Sequence, residues 1–135
     1  MNYKKIYLKK GKESSLQRFH PWVFSGAVAR ADKGIAEGEI VEVYTANQEF
    51  IAVGHFQIGS IAVRVLSFNQ QTINKAFWTK RLAAAYQMRK DVGLDYTDTH
   101  SSFRLVHGEG DFLPGLIVDF YGSTAVMQAH SVGMH

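Results

Sequence analysis

Residues 38–56 constrain the fold more than any other stretch of this chain. The run Gly38-Glu39-Ile40-Val41-Glu42-Val43-Tyr44-Thr45-Ala46-Asn47-Gln48-Glu49-Phe50-Ile51-Ala52-Val53-Gly54-His55-Phe56 spaces Val41, Val43, Phe50 and Ala52 at a period of two around a polar turn centred on Asn47. That pattern predicts a β-hairpin. Gly38 and Gly54 bracket it, where a small barrel needs a tight corner or a close approach of two backbones.

The flanking sequence repeats the theme. Alternation over 3–9 (Tyr3, Ile6, Leu8) predicts an opening strand, and 11–19 reads as a short helical turn with Ser14 or Ser15 as its N-cap. Pro21 makes His20 extended. Trp22-Val23-Phe24 is a strand, Ser25-Gly26 a turn or bulge, 27–31 extended and 34–38 a loop. Strands follow at 39–45, 49–57 and 60–68, with Gly59 at a corner. Short strands with glycine corners predict a closed or half-closed barrel, with Trp22 and Phe24 pointing into it.

The texture changes after Phe68. Residues 69–72 are a polar break, and from 73 to 92 the spacing becomes helical: Trp78, Leu82, Ala85, Met88 and Val92 step by four, three, three and four. Gly93 suits the C′ position. Lys75, Lys80, Arg81, Arg89 and Lys90 flank this stripe, so the helix reads as a solvated connector packing Trp78 and Leu82 onto the barrel. A polar linker at 94–102 precedes strands at 103–106, 115–121 and 124–129, with tight turns at 108–114 and Gly122-Ser123. The expected fold class is mainly β with one long helix (α+β). The expected organisation is a barrel at 1–70, a connector helix at 71–93 and the opening strands of a further domain at 94–135. Three strands with no following helix make a poor free-standing domain. The chain therefore reads as truncated, with an open strand edge on which a homodimer can form.

Composition narrows the chemistry. There is no cysteine, which removes disulfides, thiolate metal sites and a cysteine nucleophile, and fits a reducing cytoplasm. No apolar run is long enough to span a bilayer, and the start does not read as a signal peptide. The net charge of +3 is unevenly distributed. Residues 1–33 hold eight basic against two acidic groups, net +6; the remainder holds seven against ten, net −3. Sorting of this kind favours a polyanion-binding end over a merely solvated lysine face.

Lys9, Lys10, Lys12, Arg18 and Arg30 are the candidate phosphate contacts, with His20 placed to stack a base or sugar. Arg64 shares parity with Ala62 and Leu66 and reads either as a phosphate contact or as half of a structural ion pair. His107, Glu109 and Asp111 alternate and would share one face of an extended segment, an arrangement open to a divalent metal. Gly108, Gly110 and Pro114-Gly115 instead favour a tight turn whose carboxylates accept backbone N–H bonds. Gly108, Gly110 and Gly115 match neither phosphate-loop spacing. No Ser-His-Asp set or G-x-S-x-G elbow is present, so no catalytic residue is assigned.

Four segments, Leu8-Lys9-Lys10-Gly11, His20-Pro21-Trp22-Val23-Phe24-Ser25-Gly26, Gly38-Glu39-Ile40-Val41 and Val63-Arg64-Val65-Leu66, resemble the N-terminal PUA domain of the ribosomal RNA large-subunit methyltransferase I family. Phe103-Arg104-Leu105-Val106-His107-Gly108-Glu109-Gly110-Asp111, with Leu113-Pro114-Gly115-Leu116-Ile117-Val118-Asp119 and Tyr121, resembles the block that opens that family's central domain. The resemblance implies S-adenosylmethionine-dependent 5-methylation of a cytosine in large-subunit rRNA, with a Rossmann-like donor domain and an attacking cysteine. It also implies RNA contacts near Lys9, Lys10, Arg18, His20 and Gly26. These residues hold neither a donor-binding glycine fingerprint nor a cysteine. The expectation is therefore an RNA-docking piece of a cytoplasmic methyltransferase, with no cofactor, metal or membrane contact of its own. The alternatives are a packing or oligomerisation module of the same enzyme, or a small metallohydrolase built on His107, Glu109 and Asp111.

Overall fold

The hairpin of residues 38–56 forms in the computed structural model, which describes residues 3–91, 102–121 and 123–135. Its arms are the fourth and fifth strands of the chain. In order, the first part comprises β1 (Lys4–Leu8), α1 (Ser14–Gln17), β2 (Trp22–Phe24), a 3-10 turn at Ser25–Ala27, β3 (Val28–Ala31), β4 (Ile40–Tyr44), β5 (Phe50–Phe56) and β6 (Ile61–Ser67). They make one six-stranded sheet in the order β2-β6-β5-β4-β1-β3, curled into a half-barrel. β1 pairs parallel with β4, and every other pairing is antiparallel.

Glycine does its work at two places here. Gly38 has φ +83°, a left-handed conformation that L side chains rarely adopt, so it turns the chain into β4 without strain. At Gly54 on β5, a Cβ would fall 2.2 Å from the Arg64 carbonyl oxygen on β6. That is the close backbone approach a tightly curled sheet requires.

The concave face carries the core: Ile6, Leu8, Leu16, Val23, Val41, Val43, Ala52, Ala62, Val63 and Val65. Burial is not the clean alternation of a one-sided sheet. Glu42, between Val41 and Val43, is only 7% exposed. Its carboxylate accepts the Tyr44 hydroxyl at 3.0 Å and the Gln70 amide at 3.2 Å, which satisfies a charge that burial would otherwise penalise. Two expectations are corrected on this unit. Val23 enters the core, but Trp22 is half-buried and Phe24 is 49% exposed; in a three-residue strand centred on Val23, its two neighbours point the other way. Ser14 is the first residue of α1 rather than a cap outside it, the first turn closing from Gln17 N–H to Glu13.

The chain divides into two compact units, one comprising Met1–Thr72 with Ser131–Gly133 and His135, the other Ile73–His130 with Met134. The second unit is built from α2 (Lys75–Asp91) and an antiparallel sheet of β7 (Ser102–His107), β8 (Leu116–Tyr121) and β9 (Thr124–Ala129) in the order β7-β8-β9. Its core joins Ala85 to Val106, Leu113, Leu116 and Val118, with Trp78 and Leu105 packed against them. Leu82 and Met88, expected on the apolar stripe, are exposed. The packed face runs instead through Phe77, Arg81, Ala85 and Arg89, four residues apart. Two of the four are arginines whose stems lie along the apolar surface while their guanidinium groups find partners. Arg81 stacks 4.7 Å over Phe77 and bonds the Phe112 carbonyl. The expectations for Val92, Gly93, the linker before Ser102 and Gly122 lie outside the described residues.

Two measurements test this architecture. Gly54→Ala should lower stability by about 2–3 kcal/mol in chemical denaturation, because the new methyl meets backbone that cannot rotate away. His55 on β5 is buried, and burial pushes its pKa down from 6.5 to about 4. The unfolded chain takes up a proton near pH 6.5 and the folded chain only near pH 4, so stability falls as pH drops through that window. The loss assignable to His55 is about 3 kcal/mol between pH 7 and pH 4. His55→Gln should remove that component from the pH profile.

Candidate nucleic-acid interface

Strand register places the expected contact residues in three groups, all on the first unit. In the first, the chain leaving β1 turns tightly, Lys12 N–H bonding the Lys9 carbonyl and Lys9 N–H bonding the Ala27 carbonyl. Lys9, Lys10 and Lys12 are all exposed, and that second bond seats them against the turn containing Gly26, which is exposed too.

The second group follows α1. Phe19 ends the helix in a left-handed conformation (φ +63°), leaving Arg18 and His20 exposed. Trp22 N–H donates to His20 Nδ1 at 3.2 Å and fixes the imidazole. The His20, Trp22 and Phe24 rings then cluster with centroids 6.0–6.3 Å apart. Arg64 lies opposite Trp22 on β6 and donates to Gln57 Oε1 at 3.1 Å. Among the described residues it has no carboxylate within salt-bridge reach, so the ion-pair reading of Arg64 is not the one adopted.

Arg30 belongs to a third group. Ile6 and Leu8 point into the core, so Lys5 and Tyr7 must face outward from β1. Tyr7 is in register with Arg30 on β3 and with Tyr44 on β4, and Tyr44 with Phe50 on β5. The outer face therefore carries one rung across four strands. The Arg30 guanidinium lies 3.9 Å over the Tyr7 ring, the Tyr7 and Tyr44 centroids are 5.8 Å apart, and Phe50 meets Tyr44 edge-on at 5.9 Å. The Lys5 ammonium stands 5.1 Å over Tyr44. A groove of about 860 Å³ opens beside this rung, lined among others by Tyr3, Lys5, Tyr7, Asp32, Tyr44 and Gln70. Burial, reinforced by the hydrogen bond and charge of Glu42, raises the Tyr44 phenol above its ordinary pKa, so it stays a neutral donor.

Sequence reasoning found Arg30 but missed Lys5, Tyr7 and Tyr44. Their signal was available in part: Tyr7 has opposite parity to Ile6 and Leu8, as Tyr44 has to Val41 and Val43.

The segment from His107 to Asp111 adopts the tight turn. A 3-10 turn at Gly108–Asp111 ends in left-handed Phe112. Asp111 forms a two-pronged ion pair with Arg89, at 2.6 and 2.9 Å, and accepts the His107 N–H at 2.6 Å. Glu109 accepts the Gly115 N–H at 3.2 Å. The carboxylates thus serve the backbone and an arginine, as turn carboxylates do. Among the described residues, no group of three or more His, Asp or Glu is placed to hold a metal ion.

Residues 6–68 match the family model of the PUA-like domain. The ribosomal RNA large subunit methyltransferase I of Citrobacter koseri is 42% identical over 135 residues, covering 96% of this chain and 33% of that protein. The same enzyme of Vibrio parahaemolyticus is 39% identical over 129 residues, covering 95% and 32%. The chain thus spans about a third of the length of these relatives. Among solved structures, one assigned as a SAM-dependent methyltransferase from Streptococcus mutans superposes with a TM-score of 0.77 at 17% identity, covering 96% of this chain and 34% of that one. At that identity the likeness speaks for the fold alone.

Arg89→Met tests the turn. It keeps the stem that packs along the core but leaves Asp111, with a side chain only 2% exposed, without its cation. The expected loss is about 3–5 kcal/mol by chemical denaturation.

Proposed function

Because the chain belongs to the ribosomal RNA large subunit methyltransferase I family and carries a PUA-like domain, we propose that it is the RNA-docking part of a cytoplasmic SAM-dependent rRNA (cytosine-5) methyltransferase. In this reading residues 1–70 grip large-subunit rRNA, α2 connects, and 94–135 open the central domain. Lys9, Lys10, Lys12, Arg18 and Arg30 neutralise phosphates, Arg64 adds a further cation, His20 stacks, and the exposed Gly26 lets the RNA backbone approach closely. The observation that carries the reading is the coincidence of charge and rings. The basic excess of residues 1–33 falls within one unit, where Lys5 and Arg30 stand over the half-buried Tyr44 and Tyr7 rings and Arg18 neighbours the exposed His20. Cations neutralise phosphates without reading sequence, and rings take the bases.

The reaction itself is assigned elsewhere in the full-length protein. These 135 residues contain no cysteine, so they do not supply the sulfur nucleophile that the family resemblance implies, and S-adenosylmethionine is assigned to the remainder. No metal role is assigned either, because Glu109 and Asp111 already serve Gly115, His107 and Arg89.

A packing or oligomerisation role, including a homodimer, draws support from β9. This strand pairs with β8, and it exposes Met127 to 69% and Val126 to 41%.

Filter binding against structured large-subunit rRNA fragments at two salt concentrations separates these readings. RNA docking calls for a Kd of roughly 10⁻⁴ to 10⁻⁶ M that weakens steeply with salt. The triple charge reversal of Lys9, Lys10 and Arg18 to Glu should weaken it further. Equal binding at both salts, or indifference to the charge reversal, favours the packing role.

A further inference from the structure

We propose that the groove on the outer face of β1 and β4 holds the base of an unpaired RNA nucleotide, stacked against the Tyr7–Tyr44 pair with its phosphates beside Lys5 and Arg30. The proposal rests on the RNA-docking reading and specifies the kind of RNA that the unit selects.

The volume fits: about 860 Å³ lies within the ordinary range for small-ligand sites and exceeds what one nucleotide fills. The walls supply the two chemistries a nucleotide needs. Tyr7 and Tyr44 present adjacent rings 5.8 Å apart, tilted by 33°. Each already has a cation over it, Arg30 at 3.9 Å and Lys5 at 5.1 Å. A cation held against a ring is poised to accept a phosphate while the ring takes a base.

The site is also built in advance. Glu42 is buried on the outward side of its strand, where no core packing requires a carboxylate. Its two oxygens hold the Tyr44 hydroxyl and the Gln70 amide. Asp32 accepts the Lys5 backbone N–H at 2.8 Å, which ties the strand carrying Tyr7 to the end of β3. The rings are therefore fixed before any ligand arrives, which lowers the ordering cost of binding.

Other occupants fit less well. The centre of a protein–protein interface is depleted of charge, whereas this groove is lined by Lys4, Lys5, Asp32 and Glu42 together. A duplex keeps its bases stacked on one another and offers no free ring face.

The test compares two RNAs and two proteins. The probes are an unstructured RNA octamer and the same sugar-phosphate octamer made wholly abasic, which keeps every charge and removes every ring. The proteins are the 135-residue chain and its Tyr7→Leu/Tyr44→Leu variant. Fluorescence anisotropy at low salt gives the affinity ratio, intact over abasic, for each protein. The ratio cancels any uniform loss from a partly unfolded variant. Expected for the native chain is a preference of roughly 5- to 100-fold for the intact octamer, falling at least fivefold in the variant. A ratio that does not change in the variant overturns the assignment to Tyr7 and Tyr44. A native chain that binds both octamers equally, and salt-dependently, removes stacking while leaving phosphate docking intact. Absence of binding to either octamer and to structured rRNA sinks the docking reading itself, and the inference with it.

Discussion

β1 is the strand on which the rest of the first unit depends. It lies between β3, with which it runs antiparallel, and β4, with which it runs parallel. One side of this five-residue strand sends Ile6 and Leu8 into the centre of the core, both almost wholly buried. The other side sends Lys5 and Tyr7 outward. The period-two geometry of a strand makes these inseparable. A one-residue slip of β1 would exchange the two sets, burying a lysine and a tyrosine in the apolar interior while exposing isoleucine and leucine. Core stability therefore fixes the register that aligns Arg30, Tyr7 and Tyr44 into a single rung.

That rung spans chain segments with no local connection. A parallel pair cannot be closed by a short turn, because the chain must travel back before running in the same direction again. Here the return path takes in α1, β2, the 3-10 turn and β3. Its ends are secured by backbone bonds, Lys9 N–H to Ala27 and Asp32 N–H to the Lys5 carbonyl, and by the Lys4 ammonium, which donates to the Gly34 carbonyl at 2.7 Å. The basic residues thus lie on the loop that makes the parallel pairing possible. Arg30 reaches the aromatic rung because β3, the last strand of that path, pairs with β1.

What was legible in the sequence was local. The hairpin of β4 and β5, the corner at Gly59 and the three later strands follow from alternation and turn residues, which act over a few positions. The family resemblance supplied the arrangement that local rules do not reach. Three things escaped, each for a physical reason. Trp22 and Phe24 were assigned to the core on hydrophobicity, but Val23 is the residue that faces inward, the period of two turns both of its neighbours away, and His20 gives both rings a partner outside. The face of α2 was misjudged because arginine was counted as a solvent residue, although Arg81 and Arg89 pack their stems inward and bond Phe112 and Asp111. Tyr7 and Tyr44 were overlooked because their meeting depends on the parallel register, which no spacing in the sequence encodes.

In the proposed RNA docking, the two kinds of contact on the first unit would differ in range, and that difference would order how they act. Charge on Lys9, Lys10, Lys12 and Arg18 reaches about 8–10 Å at physiological ionic strength and does not distinguish one phosphate from another. In the proposed docking, this charge would gather RNA and hold it loosely. The tyrosine pair acts only on contact, and only on a base freed from its own stack. A lysine turn alone would bind any polyanion, and an aromatic groove alone would have little to attract an RNA from solution. With both on one unit, the proposed docking would have a fast, undiscriminating first step and a second that selects for exposed bases. An RNA-docking part of a methyltransferase gains from that order, because an enzyme that must modify a base needs RNA whose bases are accessible.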